Sequence, residues 1–140
     1  MPFRLAVALA ALFLLVGADQ PKEDPEVTRL LQAIKGKENR PAGEVFKNVT
    51  ILKTMPAARF LRVMDYGYSR SLGVGCDHCH SEDRWEADEK RPKHAAREMI
   101  LLTDEINKKL ETLENIDNSE AVVNCTTCHR GYVKPATQMR

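Results

Sequence analysis

With 140 residues the chain has room for one domain and one modest hydrophobic core. Its 21 Lys and Arg stand against 20 Asp and Glu, a net charge of +1, which excludes the basic excess that nucleic-acid binding requires. The two signs are interspersed along the chain, the pattern of a solvated surface rather than of a charged binding face.

Residues 1–18 read as a signal peptide: Arg4 is a short basic start, Leu5 to Val16 is apolar throughout, and Val16-Gly17-Ala18 offers small residues for cleavage. The run is shorter than the roughly 20 apolar residues of a spanning helix, so cleavage is favoured over an uncleaved anchor. Export is expected on either reading. No Cys follows the run to carry a lipid, and no second hydrophobic segment is found. Removal of residues 1–18 takes away only Arg4, leaving 20 basic against 20 acidic groups.

Residues 19–25 read as a loose polar leader. Val27, Leu30, Leu31 and Ile34 then recur at i, i+3, i+4 and i+7 and predict a short amphipathic helix that Gly36 stops. Gly36 to Gly43 reads as loop, and the β-branched stretch Val45 to Leu52 fits an extended segment as well as a helix. After Pro56 the spacing predicts a helix over 57–70, with Phe60, Leu61, Met64 and Tyr68 on one face, broken by Leu72-Gly73-Val74-Gly75. Residues 81–91 are charged and read as a surface loop. Pro92 suits the first turn of a long helix. On that helix Met99, Leu102, Thr103, Ile106, Leu110 and Leu113 share a face. Asn115 to Asn118 reads as loop, Asn124 as the cap of a short helical turn closed by Gly131, and the tail after Tyr132 is polar.

One arrangement occurs twice, over 57–80 and 92–129: an amphipathic helix carrying a Met, a break, then Cys-x-x-Cys-His. The motifs are Cys76-Asp77-His78-Cys79-His80 and Cys125-Thr126-Thr127-Cys128-His129, and together they use all 4 Cys of the chain. Cysteines at i and i+3 share one helical turn, so both thiols reach the two vinyl groups on one porphyrin edge. The adjacent His then offers its imidazole to the iron. Cys-x-x-Cys-His is the signature of c-type haem attachment. A structural zinc site, or disulfide and thioredoxin-like chemistry, would also use paired cysteines, but neither explains a His after each second Cys. The mature aromatic residues are few (Phe46, Phe60, Tyr66, Tyr68, Trp85 and Tyr132), so two apolar porphyrin plates would supply much of the core.

The surroundings of the motifs add a family resemblance. Glu44-Val-Phe-Lys-Asn-Val-Thr-Ile-Leu-Lys53, Phe60-Leu-Arg-Val-Met64, Gly75-Cys-Asp-His-Cys-His80, Lys93-His-Ala-Ala-Arg-Glu-Met99 and Cys125-Thr-Thr-Cys-His-Arg-Gly131 resemble the multihaem cytochrome c subunit of photosynthetic reaction centres. The resemblance covers most of residues 44–135. It implies a mainly α fold, with helices and loops packed around two covalently bound haem c groups. By position it assigns Met64 as sixth ligand at Cys76, Cys79 and His80, and Met99 at Cys125, Cys128 and His129. Typical members carry four haems and many have a lipid-bearing Cys, whereas this chain has two motifs and lacks that Cys. Pairing of two copies would restore the larger array.

Read from the residues alone, Met64 and Met99 on apolar stripes also suit simple packing. Met55 precedes Pro56 outside the helix, and Met139 lies in the tail. His78, between the cysteines, is expected to face away from the haem. His94 is the rival axial ligand, about 140° around the helix from Met99. His/Met ligation implies relatively high potentials. The expected protein is thus a periplasmic or outer-face electron carrier, with a signal peptide over 1–18, a leader and short helix over 19–43, and a di-haem domain over 44–140. Its expected partners are redox proteins, a membrane-bound reaction centre or another cytochrome among them. The rival is a di-haem enzyme such as a peroxidase, which needs an open iron site and a distal acid–base pair.

Overall fold

The structure, a computed structural model, describes residues 22–117 and 121–138. The expected signal peptide, the first leader residues 19–21, Asn118 and Met139 lie outside the described residues. The described chain is mainly α, as expected, with no β-strand in it. None of its helices is long and apolar enough to cross a membrane.

Helix α1 (Pro25–Ala33) begins where the Asp24 carboxylate accepts the Glu26 N–H at 2.8 Å and Pro25 occupies the first turn. Its predicted stripe forms the small core: Val27 and Ile34 are buried with Ala57 and Leu61, and Leu30 and Leu31 pack around them. The described end of the leader, residues 22–24, is less loose than its composition suggests. The Asp24 N–H donates to Asp65 Oδ2 at 3.3 Å, and Arg70 donates to the Lys22 carbonyl. A buried carboxylate needs donors, and the leader backbone supplies one.

Helix α2 (Ala42–Val45) is one turn, and the β-branched stretch that follows is a series of turns, not a strand. Asn48 and Leu52 both have positive φ, at 57° and 56°, and no neighbouring strand exists among the described residues to pair with an extended segment. The loop closes on itself through Ala42 N–H to Met55 O (2.8 Å) and Gly43 N–H to Lys53 O (3.0 Å). It also stacks Phe46 on Phe60 with ring centroids 5.6 Å apart.

The predicted helix over 57–70 is a continuous column of three parts: α3 (Ala57–Arg62), a π-helical stretch (Val63–Ser69) and α4 (Arg70–Leu72). The wider π turn brings i and i+5 together. Asp65 and Arg70 use that spacing for a two-pronged ion pair, with both bonds at 2.9 Å. Ser71 Oγ likewise donates to the Tyr66 carbonyl at 3.3 Å.

Helix α5 (Arg91–Leu110) has 20 residues and carries Pro92 in its first turn, as predicted. Its apolar face does not form a core. Met99, Leu102 and Ile106 are exposed, as is Leu113, which the sequence places on this face but which lies beyond the helix end at Leu110, and only the first turn is well covered, at Lys93. The apolar periodicity marked the face, but what covers the start of the helix is the 85–88 loop, which Lys93 bonds through the Trp85 and Ala87 carbonyls. Helix α6 (Cys125–His129) docks against α4. Gly131 N–H donates to Ser71 O at 2.8 Å, and the Ser71 and Thr126 hydroxyls lie 2.6 Å apart. Gly73 turns at φ +67°, where a Cβ would stand 2.1 Å from the Gly131 carbonyl oxygen. Only glycine allows that approach.

Candidate functional site

The first motif is wound as a 3-10 turn (Cys76–His78), closed by Cys79 N–H to Cys76 O at 3.3 Å, with His80 N–H donating to the same carbonyl at 3.0 Å. It forms one wall of a cleft of about 480 Å³, a size common for small-molecule and cofactor sites. Cys76, Cys79 and His80 face into it, and the 57–72 column contributes Phe60, Leu61, Met64, Tyr68 and Leu72. The turns after α2 add Phe46, Val49 and Ile51, and the far edge is made by Trp85, Lys93, Ala96 and Arg97. Met64, predicted from position, is thus gathered with the motif it was assigned to. His78 is absent from the lining, as expected. The stretch 81–91 is more than surface, because Trp85 closes the cleft.

His80 Nδ1 lies 2.9 Å from the Trp85 carbonyl oxygen. A carbonyl only accepts, so Nδ1 carries the proton and Nε2 keeps a lone pair for a metal. Burial pushes the imidazole below its ordinary value. The Trp85 bond opposes this, and the charges of Lys93, Arg97 and Lys90 add to the fall. A neutral imidazole is the form that ligates.

The second motif repeats that chemistry in different surroundings. Asn124 Oδ1 accepts the Thr127 N–H at 3.2 Å, and Thr127 Oγ1 accepts the Asn124 N–H at 3.0 Å, a reciprocal cap for α6. Arg130 and Gly131, both at positive φ, close the turn where Gly131 was predicted to do so. His129 Nδ1 donates to the Tyr132 carbonyl at 3.0 Å, which again leaves Nε2 for a metal. The approach to α6 is clamped to α5 by Asn107, whose amide donates to Val123 O at 3.0 Å and accepts Val123 N–H at 2.8 Å. Met99 is 44% exposed on the α5 stripe and does not line the cleft. His94, its rival, turns to the loop, with Nε2 2.7 Å from the Asp88 carbonyl.

No two of the four cysteines are joined as a disulfide. Burial pushes Cys76, Cys79 and Cys125 above the ordinary thiol value, the opposite of what a redox-active thiolate needs. Among the described residues the two cysteine pairs do not converge as donors for one metal ion. Tyr68 stands where both motifs act on it: its hydroxyl is pushed up to about 12 by burial, with the Cys125 and Cys79 thiols adding to the rise. Tyr68 was read from sequence only as a face residue. The carbonyls of Trp85 and Tyr132 were not read at all, since every residue carries a carbonyl and only the fold selects one.

The sequence matches the family described as the photosynthetic reaction centre cytochrome C subunit over residues 17–139. It is 37% identical over 83 residues to cytochrome c-554 of Chloroflexus aurantiacus, covering 59% of this chain and 20% of that protein. It is 35% identical over 100 residues to the photosynthetic reaction center cytochrome c subunit of Roseobacter denitrificans, covering 68% of this chain and 26% of that one. The same subunit of Thermochromatium tepidum is 33% identical over 95 residues, covering 67% and 22% respectively. The chain therefore spans about a fifth to a quarter of the length of these relatives. With the match running almost end to end, this chain belongs to the photosynthetic reaction centre cytochrome c subunit family.

Proposed function

We propose that the chain is an exported di-haem c-type cytochrome that carries electrons between redox proteins. The observation that carries the reading is a repeated one. In each Cys-x-x-Cys-His motif the terminal imidazole donates Nδ1–H to a backbone carbonyl, Trp85 or Tyr132, and so reserves Nε2 for a metal. At the first motif the fit extends to the walls: apolar side chains, two thiols and a thioether all line the cleft. These residues suit a covalently held haem.

Haem supplies the ferrous–ferric couple when bound. Cys76 and Cys79, and separately Cys125 and Cys128, form the thioether links. His80 and His129 are the proximal ligands. Met64 is the sixth ligand at the first motif, where its side chain borders the same cleft. Met99 would be the sixth ligand at the second, carried on the helix whose Asn107 clamps the segment leading into α6. With a thioether assigned to each iron, neither needs an open position, which favours an electron carrier over a peroxidase. Phe46, Phe60, Leu61 and Trp85 give the first site apolar walls. The periplasm or outer membrane face, and a reaction centre or another cytochrome as partner, complete the proposal; the apolar run Leu5 to Val16 supports export.

Protein exported in a host with a cytochrome c maturation system tests this directly. A pyridine haemochrome assay and intact mass are expected to give two covalent haems per chain, and redox titration two relatively high midpoints. Colourless protein with the mass of its polypeptide alone would overturn the proposal.

A further inference from the structure

Lys93 is an unusual place for a charge. It lies in the first turn of α5 with 9% of its surface exposed. Burying an ammonium is costly unless its donors are satisfied. Here they are: Nζ donates to the Trp85 and Ala87 carbonyls, each at 2.8 Å, and stands 3.4 Å from the Asp88 carboxylate. Holding the 85–88 loop would explain one such bond. It does not account for which oxygen is chosen. Trp85 O is also the acceptor of His80 Nδ1–H at 2.9 Å, so a buried cation and the proximal imidazole share one carbonyl.

The sharing has a definite electronic sign. A carbonyl polarised toward an ammonium is a poorer acceptor for a second donor. His80 then holds its Nδ1 proton more tightly, and Nε2 is the weaker electron donor. A fixed positive charge beside the imidazole also opposes a further positive charge on a metal bound to it. Both effects favour the reduced state. Asp88 works the other way: it lies 3.0 Å from Arg97 as well as 3.4 Å from Lys93, and offsets part of both charges. The imidazole of the second motif donates instead to the carbonyl of Tyr132, a residue 55% exposed.

We propose that Lys93 is a positioning residue for His80 that raises the midpoint potential of the first haem through the Trp85 carbonyl they share. The proposal rests on the two-haem reading above. Redox titration of the holoprotein tests it. Lys93→Gln keeps an amide donor and removes the charge. It is expected to shift one reduction equilibrium about tenfold toward the oxidised form, a fall of about 59 mV for a one-electron couple. The second midpoint should stay in place. The midpoint that falls should be the one that Met64→His also lowers. Lys93→Arg should hold it near the wild-type value, and Asp88→Asn should raise it.

Two haems present with Lys93→Gln leaving both midpoints unmoved, or moving both together, would overturn the role of Lys93. If Lys93→Gln fails to retain haem, Asp88→Asn decides, and a midpoint that does not rise overturns it equally. Wild-type protein without covalent haem would instead sink the two-haem reading.

Discussion

The two Cys-x-x-Cys-His motifs carry the same chemistry in unequal enclosures. The first sits in a cleft walled by α3, the π turn, the loop after α2 and Trp85, with Met64 already on its border. The second caps its own single turn with Asn124 and Thr127, touches α4 through Thr126 and Gly131, and is tied to α5 through Asn107 and Val123, while Met99 and Leu102 on α5 are exposed. A local motif is enough to present two thiols and an imidazole, because i, i+3 geometry and one backbone carbonyl suffice. Enclosure is a different property. It depends on how many elements the fold brings to one place.

The largest expected effect comes from removing one thiol pair. Cys76→Ala with Cys79→Ala should halve the haem content, and so should Cys125→Ala with Cys128→Ala, each read by haemochrome assay and intact mass. Loss of both haems from either double variant would break the view of two separable sites.

Gly73→Ala comes next, because it forces a Cβ against Gly131 at a positive φ. A loss of about 3 kcal/mol in stability is expected from the combined clash and strain, measured by denaturant unfolding. A neutral result would mean that the two motifs do not meet through these glycines.

Asn107→Ala strips both bonds from Val123 and should cost about 2 kcal/mol. In the holoprotein it should disturb the low-spin signal of the second haem and spare the first. Met99→Ala should perturb the same haem selectively. A variant of Met99 with both haem signals unchanged would remove it as a ligand.

The smallest effect concerns the first region and acid. The Arg70 bonds hold the Asp65 carboxyl below its ordinary value, more than burial raises it. A lowered folded-state value means the pair stabilises the fold above the ordinary carboxylate range and loses that contribution as pH falls through the folded value. Asp65→Asn should therefore flatten the acid side of the Tm–pH curve. An unchanged acid limb would show that the leader and π turn are held by other contacts.

Several of these positions were legible in advance and others were not. The α1 stripe, Pro92 and the Asn124 cap were readable because each is a local rule: helical spacing, a ring without an N–H, a side chain that accepts at a helix start. The stretch Val45 to Leu52 was ambiguous because β-branched composition suits strands, yet a strand needs a partner and the described fold offers none. Its side chains line the cleft instead. The long α5 face was read as apolar and is apolar. Periodicity says which side of a helix is hydrophobic, but it does not say what covers that side. The π turn was invisible because Asp65 and Arg70 look like any pair of charges until the wider turn aligns i with i+5.

By itself the sequence determined the two Cys-x-x-Cys-His motifs and the family, since thiol spacing, the adjacent His and the surrounding segments are all written in residue order. Tertiary structure alone decided which carbonyl holds each imidazole, that Lys93 shares one of them, and that Met64 meets its motif in a walled cleft while Met99 stands on an open face. The reason is physical. Covalent and short-range helical constraints act over a few residues, whereas carbonyl orientation, burial and charge proximity are set by elements distant in the chain.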